Sequence, residues 1–389
     1  MRELLEESFR AAVAAADPLK ILGPHLPPPP KGRTFVAAAG KAAASMALAV
    51  EQHWKSPLDG IAVTRYKHGL ATKHIRVVEA GHPVPDQAGE SAAAEILRNA
   101  QQLGPDDLLL ALISGGGSSL LSLPAPGISM SELKALTGRL LKSGADIREM
   151  NTVRKHLSAI QGGRLAAASR APVVALIISD VVGDDPTHIA SGPCAPDPTT
   201  IEDAKAVLAK YGIEFRGPFS ETPKTASATN KVIATAYRSL EAAAEVFRRQ
   251  GIRPEILGDT ITGEAREVGR EMASLARRTK GPAALISGGE CTVTVKGEGG
   301  RGGRCCEFLL SLGIETGGIW AIAADTDGID GTEDNAGAIL TPESMKRGQD
   351  GKAFLARHDS YGFFSALGDL VVTGPTRTNV NDYRAILVG

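Results

Sequence analysis

The feature that most constrains this chain is a series of short apolar runs that each break off into glycine or a polar residue. TFVAAAG (34–40), GIAVT (60–64), HIRVVEAG (74–81), LLLALISGGG (108–117) and PVVALIISD (172–180) alternate with longer helical stretches such as KAAASMALAVEQHW and AGESAAAEILRNAQQL. Runs this continuous belong to strands buried on both faces, and parallel strands need a crossover helix between them. The expected fold class is therefore α/β, with an N-terminal Rossmann-like α/β/α domain.

A second set of elements follows GPFSETPKT (217–225): a helix in NKVIATAYRSLEAAAEVFRRQG, a strand in RPEILG, another helix, and a strand in PAALISGGE. CTVTVKG (291–297) alternates with period two and reads as a half-exposed antiparallel strand, so this half is expected to hold a mixed sheet. With 389 residues the chain is too long for the usual single core, which divides it into residues 1–222 and a smaller C-terminal α/β domain, 223–389. HLPPPPKGR (25–33) is a stiff extended connector, since consecutive prolines cannot be helical. LISGGGSS from Leu112 and LISGGECT from Leu285 repeat one device, an apolar strand breaking into glycine, and place the active site in a cleft where strand carboxyl ends meet.

Bulk properties narrow the function classes. A net charge of −1 gives no global support for a nucleic-acid or membrane surface. The start, MRELLEESFRAAVAAADPLK, mixes acids and bases through an apolar pattern, so it reads as an amphipathic helix and not as a signal peptide. No apolar run reaches the roughly 18 residues of a membrane span, and a cytoplasmic protein, monomer or homodimer, is expected. Cys194, Cys291, Cys305 and Cys306 form neither a CxxC pair nor the spacing of a zinc site; Cys305 and Cys306 read as reduced residues at a helix start.

Six stretches are candidates for carrying chemistry. Ser114, Gly115, Gly116, Gly117 and Ser118 end the fourth strand in a loop whose backbone N–H groups can close around a phosphate, with serines as added donors; the GK[ST] ending of a Walker A loop is missing. Lys41 follows the glycine that ends the first strand, where a cation is unfavourable at a helix start unless it holds an anion. Asp180 ends the fifth strand, with Asp184, Asp185 and His188 just beyond, an oxygen-rich set suited to magnesium or substrate. Gly297, Gly299 and Gly302 form a literal GxGxxG, but Arg301 and Arg304 intrude there, and guanidinium groups suit phosphoryl oxygens better than a dinucleotide turn. IAADTDGIDGTEDNAG (322–337) crowds Asp325, Asp327, Asp330, Glu333 and Asp334, whose repulsion calls for a cation or basic partners. It is not an EF-hand, because Asp330 stands where the sixth-position glycine is needed; it is expected to face the arginine loop and the metal site. Thr373, Thr376, Thr378, Asn379, Asn381 and Asp382 near the end suit either hydroxyl and adenine recognition or the backbone needs of a turn.

Together AAGKAAASMA, GHPVPD, ISGGGSSLL, NTVRKHLSAIQGGRLA, ISDVVGDDPTHIASGP, GGRCCEF, DTDGIDGTEDNAGA and TGPTRTNVND resemble, in order and over nearly the whole chain, the glycerate 2-kinase family, whose C-terminal part is the MOFRL domain. The resemblance implies two α/β domains and transfer of phosphate from ATP to D-glycerate with Mg2+ or another divalent cation. NAD(P)H-dependent hydroxypyruvate reduction, a label some relatives carry, is the alternative. It further implies that Lys41 and Arg304 hold glycerate and the γ-phosphate, with Arg154 or Lys155 as an added cation. Asp180 and Asp185 would anchor the metal or orient the hydroxyl, and Asp325 would accept a proton or partner Arg304. Lys41, Asp180, Arg304 and Asp325 are thus the expected catalytic residues. Four positions depart from the family pattern: Cys305 and Cys306 stand for Asn-Gln, Arg377 for Gly, and Cys194 for Thr.

Overall fold

In the computed structural model, which describes every residue except Ala226, Lys296, Glu298 and Gln349, the apolar runs become strands of two six-stranded sheets. The first holds β1 (Thr34–Ala39), β2 (Leu58–Arg65), β3 (Ile75–Ala80), β4 (Leu108–Ile113), β5 (Val173–Ile178) and β6 (Ala228–Ala234) in the order β3-β2-β1-β4-β5-β6. Pairings from β3 through β5 are all parallel. The chain therefore leaves β1 toward one edge and returns at β4 to build toward the other, which makes the carboxyl ends of β1 and β4 the topological switch point. β1 and β4 are buried at every residue, so their runs read as uninterrupted apolar sequence.

The second sheet is mixed, as expected. It contains β7 (Arg253–Ile256), β9 (Ala283–Gly289), β11 (Trp320–Asp325), β12 (Gly337–Leu340), β13 (Leu370–Val371) and β14 (Asp382–Val388) in the order β13-β12-β11-β14-β9-β7. Only β7 and β9 pair in parallel. The antiparallel strand expected in CTVTVKG is not formed. Only β10 (Cys291–Thr292) pairs, in parallel, with β8 (Gly263–Glu264), and two residues further on the Thr294 N–H goes to the Glu264 carboxylate at 3.1 Å instead of a backbone carbonyl. Lys296, in the same run, lies outside the described residues.

Two compact units differ from the division at residue 222. One is Pro18–Ile233; the other joins Ala234–Gly389 to Met1–Asp17. The N-terminal helix Arg2–Ala14 belongs to the second because its apolar stripe, Leu5, Phe9 and Ala12, packs with Leu240, Ala243, Ala244 and Phe247 over one face of the mixed sheet. Period-two alternation sends Ile322, Ala324 and Tyr383 to that face and Ala321, Ala323 and Ile386 to the other, where Phe308, Leu309 and Phe363 cover them. The later boundary follows from β6, which extends the first sheet through the expected linker. No helix among the described residues is long and apolar enough to cross a membrane.

Candidate functional site

In the unit Pro18–Ile233 the site grows from the switch point. Gly40 ends β1 at φ +127°, and a Cβ there would lie 2.2 Å from Ser114 Oγ, so only glycine lets the two strand ends touch. Across this contact the Lys41 N–H donates to the Gly115 carbonyl at 2.8 Å and the Ala42 N–H to Ser114 Oγ at 3.0 Å. Lys41 thus lies in a turn just before the helix Ala43–His53, two positions ahead of its first residue. Gly116 has φ +81°, and an added Cβ would meet His82 Nε2 at 3.0 Å and Lys41 Cγ at 3.2 Å. Lys41 and His82, the latter missed in the sequence, therefore flank the loop. The signal for His82 was its position just past a strand end in GHPVPD.

The N–H groups of Gly115 and Gly116 donate to no acceptor among the described residues, which is what an anion-binding backbone nest requires. The hydroxyl protons of Ser118 and Ser119 are committed within the protein. Ser191 Oγ donates to Asn151 Oδ1 at 3.2 Å, so the 2.8 Å contact between Ser118 and Ser191 uses the Ser118 proton. Ser119 Oγ donates to the Gly116 carbonyl at 3.1 Å.

Of the two added cations, the structure commits Lys155 elsewhere: its ammonium meets Asp197 at 2.9 Å, with both side chains 1 % exposed. Arg154 has no carboxylate partner among the described residues, and only Asn151 Oδ1 lies in reach, at 3.4 Å. Burial alone pulls its pKa down, the mark of a desolvated cation without a counter-ion. Asp185 accepts the Thr187 N–H at 2.9 Å; burial raises its pKa, and the Thr187 bonds, His188 and Lys155 bring it below the ordinary value. Asp180 follows Ser179 just past the end of β5. No group of three or more His, Cys, Asp or Glu gathers as a metal site among the described residues, so Asp180 and Asp185 are not joined by a third protein ligand.

In the other unit the acidic loop finds its partners. Arg304 opens the helix Arg304–Thr316 and meets Asp382 through Nε at 2.8 Å, Asp325 through Nη2 at 2.7 Å and Glu290 through Nη1 at 3.1 Å. Burial lowers its pKa, but Asp382, Asp325 and Glu290 outweigh this and hold it well above the ordinary value. Asp325 is thereby a partner of Arg304, and its Oδ1 also accepts the Asp327 N–H at 3.0 Å. Asp382 continues to Arg384, 2.9 Å away and 1 % exposed, a second buried arginine that sequence reasoning missed because it sits inside an apolar strand. Asp330 caps the helix, accepting the Cys305 and Cys306 N–H groups at 3.0 and 2.9 Å. Glu333 takes Arg301, whose guanidinium lies 4.1 Å from the Tyr361 ring centre, and Asp334 accepts the Tyr361 hydroxyl at 2.8 Å. The expectation that the acids face the arginine loop holds within this unit.

The departures from the family pattern have physical counterparts. Cys305 and Cys306 are fully buried among core residues; their N–H groups reach Asp330, and the Cys306 thiol sulfur accepts from Asn335 Nδ2 at 3.2 Å. Burial pushes the Cys194 thiol up to about 12. Arg377 takes φ +60°, a conformation glycine adopts without strain. Thr326, Thr376 and Thr378 bond backbone carbonyls, which favours the turn reading of the last loop.

A Rossmann-order sheet with a glycine loop and a lysine at its switch point in one unit, and a mixed sheet with an arginine among carboxylates in the other, define a two-unit α/β protein. DUF4147, a domain of unknown function, matches residues 4–221, and the MOFRL family matches residues 283–382. D-glycerate 2-kinase of Thermotoga maritima is 42 % identical, with 98 % of this chain and 97 % of that one aligned. The crystal structure of glycerate kinase from the same organism superposes with a TM-score of 0.90 at 40 % identity, covering 100 % of this chain and 99 % of that one. A protein of Agrobacterium vitis provisionally named a hydroxypyruvate reductase is 52 % identical over 100 % of this chain and 94 % of its own length. The chain belongs to the glycerate 2-kinase family, which joins a DUF4147 part to a MOFRL part.

Proposed function

We propose that the protein is an ATP-dependent D-glycerate 2-kinase that forms 2-phosphoglycerate and ADP. The observation that carries this reading is the glycine loop at the switch point, with two N–H groups that lack acceptors among the described residues and Lys41 beside them. Its support from kinship is the 42 % identity to D-glycerate 2-kinase of Thermotoga maritima.

In the transfer, the glycerate 2-oxygen bonds to the γ-phosphorus as the bond to the β-bridging oxygen breaks. ADP takes the electron pair, and the hydroxyl proton passes to solvent water. Charge spreads over the transferring oxygens, so the protein mainly positions and neutralises. The Gly115 and Gly116 N–H groups and the Lys41 ammonium bind phosphate oxygens. Arg154, lacking a carboxylate partner, binds the glycerate carboxylate. Arg304, fixed by two buried carboxylates, is a cation that opposes charge developing in the transition state. Magnesium fits the donor set here: Asp180 and Asp185 are hard oxygen ligands, and a hydrated ion needs only one or two carboxylates beside phosphate oxygens. When bound, it would neutralise phosphate charge.

Hydride transfer is the weaker reading. Gly297, Gly299 and Gly302 follow the two-residue β10 of a small ribbon, not a strand of the parallel sheet, and Gly302 packs on Ser360. A dinucleotide fingerprint needs the strand-to-helix turn of a βαβ unit. The purified protein should release ADP from ATP and magnesium only when D-glycerate is added, and should leave NADH unoxidised with hydroxypyruvate. Oxidation of NADH without ADP formation would reverse the choice.

A further inference from the structure

Behind the glycine loop a partly buried chain of polar contacts leads from Arg154 to the loop. The helix Ile147–His156 carries Asn151 and Arg154 one turn apart on the same face, and Asn151 Oδ1 accepts from both Arg154 Nη1 at 3.4 Å and Ser191 Oγ at 3.2 Å. Ser191 accepts in turn from Ser118 at 2.8 Å, and Gln161 Nε2 donates to the Ser118 carbonyl at 2.9 Å. Ala190 and Ser191 hold φ of +51° and +59°, strained for residues with side chains. That strain brings Ala190 against Gly117, where an added Cβ would come within 2.5 Å of the Ala190 methyl. Such conformations persist only where the surroundings over-determine them. Its neighbouring cations are committed elsewhere: Lys155 to Asp197, and Arg164 to the carbonyls of Lys155, Gln161, Ser220 and Glu221. Asn151 is buried at 3 % exposure and, among the described residues, is the one that touches both the unneutralised guanidinium and the chain leading to the loop.

We propose that Asn151 is a positioning residue that couples Arg154 to the glycine loop, so that the carboxylate-binding and phosphate-binding groups are set by one shared acceptor. An amide suits the role because its oxygen accepts twice without a charge. A carboxylate at the same place would neutralise Arg154 and compete with the substrate's own carboxylate. The inference rests on the kinase reading for its kinetic consequences, though the coupling itself is a property of the unliganded protein.

The test uses the full chain and four variants. Asn151→Ala should raise KM for both D-glycerate and ATP by about tenfold each, the worth of one lost hydrogen bond to a charged group. Asn151→Asp keeps an acceptor for Ser191 and should raise KM for D-glycerate alone. Ser191→Ala should raise KM for ATP, and the double variant Asn151→Ala/Ser191→Ala should be no worse for ATP than Asn151→Ala, since both break the same chain. Amide hydrogen exchange over residues 112–121 in the unliganded protein should be faster in Asn151→Ala than in wild type. Wild-type exchange in that variant, or strictly additive effects on KM, would overturn the coupling. Absence of ADP formation by the wild-type protein would instead sink the kinase reading, leaving the exchange measurement to decide on Asn151.

Discussion

Arg304 offers each nitrogen of its guanidinium to a different carboxylate, and the burial of those partners decides what the residue can do. Asp382 and Asp325 are 0 % and 3 % exposed and fix the fork, whereas Glu290 at 54 % can exchange its place with a ligand. A lysine ammonium has no planar fork and cannot satisfy both buried acids. Arg304→Lys is therefore expected to lower turnover on the order of a hundredfold. It should also lower stability by about 3 kcal/mol, because a buried carboxylate loses its cation. Steady-state kinetics and urea denaturation measure the two effects, and near-native turnover would remove Arg304 from the chemistry. Gly116 makes the complementary case. The space where its Cβ would sit is filled by His82 and the Lys41 stem, so glycine is required for these side chains to approach the loop. Gly116→Ala should raise the apparent KM for ATP by at least about tenfold through this displacement and the left-handed φ, which alone costs about 1 to 2 kcal/mol. An unchanged KM would show that the nucleotide binds away from this loop.

The helix Arg304–Thr316 begins without the Ser, Thr, Asp or Asn that normally precedes a helix; its N-cap is Gly303. Asp330 replaces that cap from a distant loop, and burial pushes its carboxyl up to about 6 despite the two N–H donors. Since this pKa is raised above the ordinary 3.8, the stability Asp330 contributes is complete below about 3.8 and is lost as pH rises through about 6. The advantage of wild type over Asp330→Asn should accordingly fall by about 2 kcal/mol between pH 4.5 and 7.5. Denaturant melts of both proteins at the two pH values check this, and a constant difference would mean the carboxyl keeps one protonation state throughout. The sequence made the need for partners legible here, because five acids in one short loop repel whatever the fold. It did not make the partners legible. Asp330 faces two backbone N–H groups, Asp334 a tyrosine and Asp325 an arginine, and those choices depend on which loop the sheet places opposite which helix. CTVTVKG failed for a related reason: its alternation fits a strand, but the Thr294 N–H goes to the Glu264 carboxylate instead of a backbone carbonyl.

At the scale of the whole chain, the continuous apolar runs identified the parallel sheet, because burial on both faces leaves a pattern that no surface strand imitates. The N-terminal helix was equally clear as a helix, but not as a part of the second unit, since an amphipathic stripe states that a face must be covered and not by what. The cover comes from more than two hundred residues downstream. Leu5, Phe9 and Ala12 share a core with Leu240, Phe247 and Tyr383; the Tyr383 hydroxyl donates to Ser8 at 2.8 Å, Thr378 Oγ1 donates to the Ala16 carbonyl at 2.7 Å, and Arg2 pairs with Asp369. Removing this helix would open to water the face of the mixed sheet that carries Ile322 and Ala324, neither exposed at all in the intact unit. Phe9→Ala, at a site 2 % exposed, should cost about 3 to 5 kcal/mol by leaving a cavity. A fragment of residues 234–389 should lack a cooperative thermal transition when produced alone and regain one when a peptide of residues 1–17 is added. A fragment of residues 18–233 should melt cooperatively without it, because its sheet and covering helices come from within that span. Circular dichroism melts of the three samples distinguish the outcomes; cooperative unfolding of 234–389 without the peptide would show that the helix decorates a unit already able to fold.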